Sequence, residues 1–530
     1  MGAIKHLWPW LCAILSGLLI TLCFPPFEQS WLAWLALTPL ISAVWFSDRA
    51  KKRPKLYFFL LGYLAGLAYF SSIFFWITTV SVVGWIALPF YLAIYPGLWT
   101  LFVGLYATPL QKPDREKPIW LSSLNNLRVT ALAGAAWVAM EWLRSTLFTG
   151  FGWNPLGVSM HANIPLIQLA SITGVGGLSF FLVMMNGIIV ATIKRIRMEI
   201  GQISLRPHYD FSLTVALVVL IFGLGFRHML KKEESFPLNV VAVQGNIPKN
   251  FHWDNAFEQR ILDTYSRLTE LALLRQPDLL IWPEAATPRS IFTDERNSAV
   301  VKSITAKFDG DFLLGTLYYD GTGDYNSVAL LTRKGEEAQL YHKTHLVPFG
   351  EYLPFRNSFP IFTPIAGDLI PSDFTAGSEP VVFEMEKKPV RIGPLICFED
   401  TIGEVARQPV RHGAQLLITV TNDGWFPNTA EARQHLANAV FRCAETGLPM
   451  VRSSNTGVTC IIDRFGRVMT PLQEEHEGLL FETADIPVKP TLTFYTRYGE
   501  IFSVSCLALS ILTVVFVIGR AKLKKIATPA

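Results

Sequence analysis

The chain has 530 residues, of which 51% are hydrophobic and only 17% charged, and its mean hydropathy is +0.33. Soluble globular chains usually carry about 25% charged residues, so this deficit indicates membrane segments. The net charge of +4 is small, and the charged residues that produce it cluster in loops. This distribution excludes the single basic face of a nucleic-acid-binding protein. The His and Cys residues follow no metal-ligand spacing and no Gly-rich phosphate loop occurs, so no metal and no cofactor is predicted.

Eight continuous apolar runs approach or exceed the length of about 20 residues that a helix needs to cross a bilayer. Because they are continuous rather than alternating, they exclude a β-barrel. The predicted spans are 7–24, 31–47, 56–79, 86–110, 128–147, 164–192, 212–229 and 500–519.

The linkers between these spans alternate in basic residues. Linkers 48–55, 111–127 and 193–211 and the C-terminal tail are rich in Lys and Arg. Those at 25–30, 80–85 and 148–163 contain neither. The positive-inside rule therefore predicts that both termini are cytoplasmic and that the long segment 230–499 lies outside.

Three domains follow from this topology. Residues 1–230 are predicted to hold seven spans, 231–495 an exterior domain, and 496–530 an eighth span with a basic tail. The first run could instead be a signal peptide, because Lys5 and His6 precede it and Cys23 follows it. Thr21 and Leu22 are not both the small residues that cleavage sites favour, which argues against cleavage.

Two features of the span region allow two interpretations each. Glu141 and Arg144, three residues apart, are either functional intramembrane groups or a helical pair near the outer interface. The outer linker 149–155, with Trp153, is either an interfacial anchor or part of a lipid head-group site.

The exterior segment alternates Val- and Ile-rich runs with helical patterns, which predicts α/β architecture. Strands are predicted at 238–243, 278–282, 312–317, 327–332, 390–396, 415–421 and 458–463. Helices are predicted at 255–275, 296–307 and 429–446.

Chemistry-bearing residues lie at or near the ends of predicted strands, where α/β folds place ligands. Glu284 follows Trp282-Pro283, Lys343 lies in the motif 341–352, and Cys397 follows an apolar strand. A fourth motif, 421–426, also follows a strand.

A Glu, a Lys and a Cys that converge can form an acyl-transfer site. An ammonium beside a thiol favours the thiolate and can stabilise an oxyanion, and a carboxylate can accept the proton of the thiol. The carboxylate can then protonate the leaving group and activate the incoming nucleophile, which predicts a thioester and ping-pong kinetics.

Other readings of Cys397 remain open from the residues alone. A Cys at the end of an apolar strand is often a buried structural thiol. Cysteines of exterior domains often pair, although Cys397, Cys443 and Cys460 make three, so at least one is unpaired. A Cys–His pair with His342 or His345 is also possible.

These motifs resemble the nitrilase (carbon–nitrogen hydrolase) superfamily, which carries a Glu-Lys-Cys triad on an α-β-β-α sandwich. With several spans around the exterior domain, the whole chain resembles the apolipoprotein N-acyltransferases of Gram-negative bacteria. The resemblance implies Cys397 as nucleophile, Glu284 as general base and Lys343 as oxyanion stabiliser.

The resemblance extends to four supporting positions. Glu351 matches the second glutamate of the family, Trp253 a family tryptophan, and Phe398 and Glu399 the positions after the nucleophile. The sequence departs from the family where Phe398 replaces an expected Tyr, which leaves aromatic packing but removes a hydroxyl. A second departure is Gly152, where Pro is expected.

Segment 353–375 is unusually apolar for a loop, and its four prolines disfavour a long helix. Such a patch predicts a lid that dips into the outer leaflet, with a buried crossover loop as the alternative. Phe362, Trp425 and Trp153 are the predicted substrate-binding residues.

The resemblance implies transfer of an acyl chain from a phospholipid, usually phosphatidylethanolamine, to the α-amino group of a diacylglyceryl-cysteine on an apolipoprotein. It places the enzyme in the inner membrane with its catalytic domain in the periplasm, and we expect a monomer. The alternatives are a membrane-tethered amidase or nitrilase that uses water as acceptor, and a transporter or scaffold with an inactive exterior domain. The intact Glu-Lys-Cys set and the scarcity of ionisable residues in the spans argue against a transporter or scaffold.

Overall fold

A computed structural model describes residues 2–47, 53–109, 119–199, 207–248, 255–332, 338–354, 356 and 373–527. The chain forms two compact units. One, called here the helical unit, comprises Met1–Leu230 and Glu500–Ala530. The other, called here the two-sheet unit, comprises Lys231–Gly499.

The helical unit is built from apolar helices joined by short turns. Its α-helices are α1 (Gly2–Leu22), α2 (Thr38–Phe46), α3 (Pro54–Ile73), α4 (Val82–Leu92), α5 (Ile94–Tyr106), α6 (Ile119–Thr146), α7 (Ile164–Ile167), α8 (Ala170–Thr173), α9 (Val175–Glu199), α10 (Tyr209–Met229) and the C-terminal helix Ile501–Ala527. Short 3-10 helices occupy Ser30–Trp34, Phe75–Thr79 and Leu156–Met160.

Among the described residues, five helices are long and apolar enough to cross a membrane. They are Pro54–Ile73, Val82–Tyr106, Val175–Met198, Tyr209–Met229 and Ile501–Leu523. Several membrane helices are thus present, whereas the full set of eight spans stays a prediction. Of the basic residues that set the predicted topology, those in 48–52, 110–118 and 200–206 lie outside the described residues.

The predicted span 31–47 differs most from its expectation. It forms the 3-10 helix Ser30–Trp34 followed by α2, a helix of only nine residues. Nine residues of α-helix rise roughly 14 Å, about half of a hydrocarbon core. In span 86–110 a break falls between α4 and α5, where Pro96 has no N–H to donate to the carbonyl of Leu92.

Close helix contacts in this unit depend on small residues. A Cβ atom added to Gly62 in α3 would lie 2.1 Å from the Pro96 carbonyl oxygen in α5. Such backbone approach is the usual way in which membrane helices associate, because side-chain burial gains little in lipid.

Glu141 and Arg144 both hold the outer linker. Glu141 Oε1 accepts hydrogen bonds from Trp137 Nε1 and from the Leu156 backbone N–H, each at 2.7 Å. Arg144 Nη1 donates to the Trp153 carbonyl at 2.9 Å. These contacts favour a structural reading of the two residues.

The two-sheet unit contains two six-stranded sheets with the orders β12-β1-β2-β3-β4-β5 and β11-β10-β9-β8-β7-β6. The strands are β1 (Ser235–Gln244), β2 (Leu279–Trp282), β3 (Asp311–Tyr319), β4 (Asp324–Leu331), β5 (Ala338–His342), β6 (Phe383–Glu384), β7 (Arg391–Ile396), β8 (Leu416–Thr421), β9 (Met450–Ser454), β10 (Cys460–Ile462), β11 (Val468–Met469) and β12 (Gly478–Pro487). The helices are α11 (Asn255–Leu273), α12 (Glu295–Lys307), α13 (Gly403–Arg411), α14 (Glu431–Thr446) and α15 (Phe494–Tyr498).

Alternation along the strands produces the layers of this unit. In β1, Val240 and Ala242 pack into the core between the sheets, together with Ile392 and Ile418 of the second sheet. Their neighbours in β1 point the other way, into a core that the first sheet shares with α11 and α12.

The second sheet is covered on its other side by α13 and α14. The arrangement is therefore helix, sheet, sheet, helix, and the predicted α/β domain is confirmed. Strands β1, β2 and β3 are parallel to one another, as are β7, β8 and β9.

Candidate active site

Glu284, Lys343 and Cys397 each follow a strand of the two-sheet unit. Glu284 comes two residues after β2, because Pro283 cannot donate to the ladder and ends that strand. Lys343 comes directly after β5, and Cys397 directly after β7. Strands β2 and β7 lie in different sheets, and each runs parallel to a neighbour in its own sheet. The carboxyl ends of such strands can present side chains to one site.

The turn that presents Glu284 requires a glycine on the neighbouring strand. A Cβ atom on Gly315 in β3 would lie 2.4 Å from the Pro283 carbonyl oxygen and 2.7 Å from Glu284 Cα. The next residue, Ala285, has a φ of 47°, in the left-handed region. The local path therefore depends on the space that Gly315 leaves.

Lys343 is the buried cation of the site, with a side chain that is 1% exposed. Its Nζ lies 2.9 Å from Glu351 Oε2 and 3.9 Å from Glu284 Oε1. Burial alone would lower the pKa of Lys343, but Glu351, Cys397 and Glu284 together outweigh burial and raise the pKa. The ammonium is therefore charged at neutral pH.

Glu351 is the fixed counter-charge of that ammonium. Burial would raise its pKa, but the Lys343 ammonium and the hydrogen bonds from Asn326 and Val347 together outweigh burial and lower it. Glu351 Oε2 also accepts the Val347 backbone N–H at 2.8 Å. The predicted supporting role of Glu351 thus has a physical basis in its contact with Lys343.

Asn326 joins the two glutamates, and no sequence motif predicted this role. Its Nδ2 donates to Glu284 Oε1 at 2.7 Å and to Glu351 Oε1 at 2.9 Å. The backbone carbonyl oxygen of Asn326 accepts the Lys343 backbone N–H at 2.9 Å. Asn326 lies within β4, and an Asn in a strand carries no motif that would have marked it.

Glu284 has a pKa suited to proton transfer. Burial raises the pKa of this carboxyl, while the Lys343 ammonium opposes the rise. A carboxyl whose pKa moves toward neutral pH can accept a proton and return it within one catalytic cycle.

Cys397 is partly buried and has a φ of 52°, in the left-handed region that residues with side chains seldom adopt. Burial and the Glu284 carboxyl raise the pKa of the thiol well above its usual value, and Lys343 opposes them. The resting sulfur is therefore a protonated thiol, and it needs a base to become a nucleophile. Strain of this kind is frequent at functional sites.

Glu399 ties the turn that holds Lys343 to the turn that holds Cys397. Its Oε1 accepts the backbone N–H groups of Thr344 at 2.8 Å and His345 at 3.0 Å. Its Oε2 accepts the Ile396 N–H at 2.9 Å, and the Tyr341 hydroxyl donates to the same carboxylate. The side chain is fully buried, so these bonds are shielded from water.

Phe398 keeps the aromatic packing expected at its position. Its side chain is 7% exposed, and its ring stacks with the His345 ring at a centroid distance of 5.8 Å. His342 Nδ1 instead hydrogen-bonds with the Ser327 hydroxyl at 2.8 Å. These contacts favour neither histidine as the base of a Cys–His pair.

The other predicted site residues lie in different environments. Trp425 follows β8 and is 42% exposed. Trp153 lies in the helical unit, is 3% exposed, and packs its ring 5.5 Å from that of Trp76. Trp253 and Phe362 lie outside the described residues.

All six cysteines are free thiols, so no disulfide competes for Cys397. Cys443 and Cys460 are fully buried, as structural thiols usually are.

One cluster among the described residues has a donor set that could hold a metal ion. The ligand atoms of Asp423, Glu431 and His435 lie within 4.8 Å of one another. The fit is poor, because both ring nitrogens of His435 face carboxylates and the Arg452 guanidinium already pairs with the Asp423 carboxylate. The donor set therefore does not favour a metal.

Two family models match the chain. The apolipoprotein N-acyltransferase N-terminal domain matches residues 16–188, and the carbon-nitrogen hydrolase domain matches residues 239–489.

Curated relatives match nearly the whole length. An apolipoprotein N-acyltransferase of Geobacter metallireducens is 33% identical over 517 residues, which is 94% of this chain and 93% of that protein. One of Bradyrhizobium diazoefficiens is 29% identical, with 97% of this chain and 96% of that protein covered. Among solved structures, a CN-hydrolase superfamily protein of Xanthomonas campestris matches 48% of this chain and 91% of its own at 20% identity, with a TM-score of 0.37.

Proposed function

Because this chain belongs to the apolipoprotein N-acyltransferase family, we propose that Glu284, Lys343 and Cys397 carry out its acyl transfer through a thioester on Cys397. The protein is an acyltransferase of the bacterial membrane that N-acylates lipoproteins. The observation that carries the catalytic proposal is the contact of buried Lys343 with Glu284 and Glu351, beside the Cys397 turn.

In the first half-reaction a phospholipid ester is the acyl donor. Glu284 removes the proton of the Cys397 thiol, and the sulfur attacks the ester carbonyl. The Lys343 ammonium stabilises the oxyanion that forms, since a fixed charge in a water-poor site acts without reorganisation. Glu284 then protonates the departing oxygen, which releases a lysophospholipid and leaves the acyl group on sulfur.

In the second half-reaction the acceptor is the α-amino group of a diacylglyceryl-cysteine. Its neutral amine attacks the thioester, and Glu284 takes one proton from the nitrogen. The carbon–sulfur bond breaks, an amide forms, and the sulfur regains a proton from Glu284. Protons and charges balance over the cycle, and the kinetics are ping-pong.

The supporting residues keep this constellation in place. Glu351 fixes the ammonium, and Glu399 holds the two turns that carry Lys343 and Cys397. Phe398 supplies packing alone at a position where the family usually has a hydroxyl. Trp425, Phe362 and Trp153 are proposed to contact substrate, and Trp253 to support the site.

The setting of the reaction is proposed from the distribution of charge. With eight spans and basic linkers in the cytoplasm, the domain 231–495 lies in the periplasm, between the spans of 1–230 and the final span of 496–530. Phosphatidylethanolamine is the proposed donor, and the enzyme is proposed to act as a monomer without a metal or cofactor.

The deciding experiment is intact mass spectrometry of the purified protein after incubation with phosphatidylethanolamine, with Cys397→Ala as the matched control. We expect an adduct of acyl mass on the wild type alone, which hydroxylamine removes and a diacylglyceryl-cysteine peptide discharges. No adduct with any phospholipid, together with hydrolysis of small amides, would support the tethered amidase instead.

A further inference from the structure

Beneath the Cys397 turn lies a buried ion cluster, defined here as Asp400, Asp423, His435 and Arg452. Their side chains are between 0% and 2% exposed. The mechanism proposed above assigns none of them a role. Burying four ionisable groups is expensive unless each is paired, so the pairing within the cluster carries information.

The cluster pairs two carboxylates with two cations. His435 Nε2 lies 2.8 Å from Asp400 Oδ1, and His435 Nδ1 lies 3.1 Å from Asp423 Oδ1. Arg452 lies 3.3 Å from Asp400 through Nε and 3.3 Å from Asp423 through Nη2. Each carboxylate therefore faces one nitrogen of each cation.

His435 is an imidazolium in this arrangement. A neutral ring would point a lone pair at one of the two carboxylates, whereas the charged ring donates at both nitrogens. Burial alone would lower the pKa of His435, but Asp400 and Asp423 outweigh it and raise the pKa to about 10.

Other ionisable groups border the cluster. Glu431 Oε1 lies 3.7 Å from His435 Nδ1, and burial raises the pKa of Glu431 well above its usual value. Glu474 faces Asp423 and Arg452 from the segment before β12. On the thiol side, Glu284 and Lys343 face Cys397.

Two contacts connect the cluster to the nucleophile. His435 Nε2 lies 3.3 Å from the Cys397 carbonyl oxygen, at the residue with left-handed φ. Asp423 Oδ1 accepts the Thr421 hydroxyl at 3.0 Å. Thr421 lies beside Cys397, because the residues before them, Val420 and Ile396, are paired across β8 and β7, and the Thr421 side chain lowers the pKa of the thiol.

Thr421 has one hydroxyl proton for two acceptors. While the sulfur is protonated, the hydroxyl donates to Asp423 and can accept the S–H. Once Glu284 has removed the thiol proton, the hydroxyl can turn and donate to the thiolate. Asp423 then still keeps His435 and Arg452 as partners, so no buried charge loses all of its partners.

We propose that Thr421 stabilises the Cys397 thiolate by this exchange of hydrogen bonds, and that His435 is the positioning residue that makes the exchange possible by holding Asp423 and the Cys397 carbonyl. The inference rests on the proposed function in taking Cys397 as the nucleophile. It adds a hydroxyl and an imidazolium to the groups that set the reactivity of the sulfur.

The test measures thiolate formation without acyl transfer. The full-length protein in detergent micelles is alkylated with iodoacetamide across pH, and the Cys397 peptide is quantified by mass spectrometry. In Thr421→Val we expect the alkylation profile to shift to higher pH and the rate at pH 7 to fall about ten- to hundred-fold, the effect of one hydrogen bond to a charged group. Thr421→Ser, which keeps a hydroxyl, should restore most of the rate.

The matched control is Thr419→Val, two residues earlier on β8, where a fully buried hydroxyl donates to Met450 Sδ at 3.5 Å. This control also removes a buried Thr hydroxyl from β8, and it should leave the alkylation profile unchanged. A wild-type profile in Thr421→Val, or an equal shift in Thr419→Val, would overturn the role of Thr421.

The role of His435 is tested with His435→Gln, which can still donate from nitrogen but carries no charge. We expect a shift in the same direction as in Thr421→Val. A folded His435→Gln variant with a wild-type alkylation profile would overturn the positioning role. If His435→Gln does not fold, Thr421→Val still decides whether the hydroxyl stabilises the thiolate. Wild-type protein that alkylates normally but forms no acyl adduct would contradict the proposed function and leave this result standing.

Discussion

At the scale of single residues, the site uses one buried ammonium to organise two carboxyl groups with different pKa values. The pKa of Glu351 is lowered because Lys343 and the hydrogen bonds to this carboxylate together outweigh its burial. At Glu284 burial outweighs Lys343 and raises the pKa. The difference in distance contributes, since Lys343 Nζ is 2.9 Å from Glu351 Oε2 and 3.9 Å from Glu284 Oε1. One glutamate is thereby fixed as a charge, and the other can carry a proton.

Replacing Lys343 by Met should slow formation of the acyl-enzyme by about 10²- to 10³-fold, the usual effect of removing an oxyanion partner. The same change leaves Glu351 buried without its cation, which costs about 3–5 kcal/mol of stability. Single-turnover acylation and thermal unfolding measure the two effects.

The double variant Lys343→Met/Glu351→Gln separates these effects. It should recover most of the stability, because no buried charge is left unpaired, and none of the rate. Lys307→Met, at an exposed position on α12, is the control. Recovery of the rate in the double variant would contradict a role for Lys343 in the reaction.

Asn326→Ala should change the pH dependence of acylation. Burial raises the pKa of Glu284, and the hydrogen bond from Asn326 lowers it, so loss of the amide raises that pKa further. Acylation needs deprotonated Glu284 and fails as the pH falls through this pKa, so the acid limb of the rate should move to higher pH.

Gln339→Ala is the matched control for that experiment, because this β5 amide bonds the Glu384 backbone. Single-turnover rates across pH measure both variants. An acid limb of Asn326→Ala at the wild-type position, or at lower pH, would argue against Glu284 as the base.

At the scale of secondary-structure elements, catalytic geometry depends on turns at strand ends that other elements support. The β2 turn depends on space beside Gly315, and Glu399 links the turns after β5 and β7. Each turn is therefore positioned by residues that never contact substrate.

Gly315→Ala should displace the Glu284 turn. The added Cβ would meet Pro283 and Glu284 backbone atoms, and overpacking of this kind costs about 1–3 kcal/mol. Gly478→Ala in β12 is the control, because its Cβ would meet only the flexible end of Leu472 at 3.3 Å. Thermal unfolding and acylation rates that are equal in the two variants would contradict this dependence.

The apolar segment 353–375 is the proposed lid, and its ends are held together. Leu353 N–H donates to Asp373 Oδ1 at 3.0 Å, and Arg356 Nη2 lies 2.7 Å from the same oxygen. Residues 355 and 357–372, which include Phe362 and Ile365, lie outside the described residues.

Replacing Phe362 and Ile365 together by Ser should lower acyl transfer from phospholipid about ten-fold without changing the unfolding temperature, since a lid needs apolar contact with acyl chains. Leu274→Ser is the control, because this apolar residue of the same unit is 79% exposed. Unchanged transfer would contradict the lid, and a large loss of stability would favour the buried crossover loop.

Periodicity predicted the elements of the two-sheet unit well. The expected strand 390–396 is β7 at Arg391–Ile396, and the expected helix 255–275 is α11 at Asn255–Leu273. Strands β5, β9 and β12 were not predicted, because β5 and β12 mix polar and charged residues and β9 contains Arg452. The buried cation of β9 is stable only through Asp400 and Asp423, which are distant in sequence.

The triad motifs were readable because Glu284 and Cys397 follow apolar strands and Lys343 lies in a recognisable run. Asn326 and His435 were not singled out, and Thr421 was marked only as the first residue of the motif 421–426, since the roles of all three come from contacts between elements. Sequence spacing carries no information on the hydrogen bond between Asn326 in β4 and Glu284, two residues after β2.

At the scale of the whole molecule, the proposed topology places the catalytic chemistry outside the cytoplasm. It predicts that Ala299→Cys, exposed on α12, reacts with a membrane-impermeant maleimide in intact cells whose outer membrane is permeabilised. Ala521→Cys, in the C-terminal helix, should react only after the inner membrane is broken. Labelling of Ala521→Cys in intact cells would contradict the orientation.

The pairing of β1 with β12 has a consequence for biosynthesis. Ser235 pairs with Pro487 and Gln244 with Gly478. Strand β1 therefore cannot complete its pairing until β12 has been synthesised. At about 5–20 residues per second, the ribosome makes the intervening chain in roughly 12–50 s. During that interval one edge of β1 is a free template for wrong pairing. If the domain folds in the periplasm, as the proposed topology requires, a periplasmic holdase that binds extended chains should raise the yield of the mature enzyme.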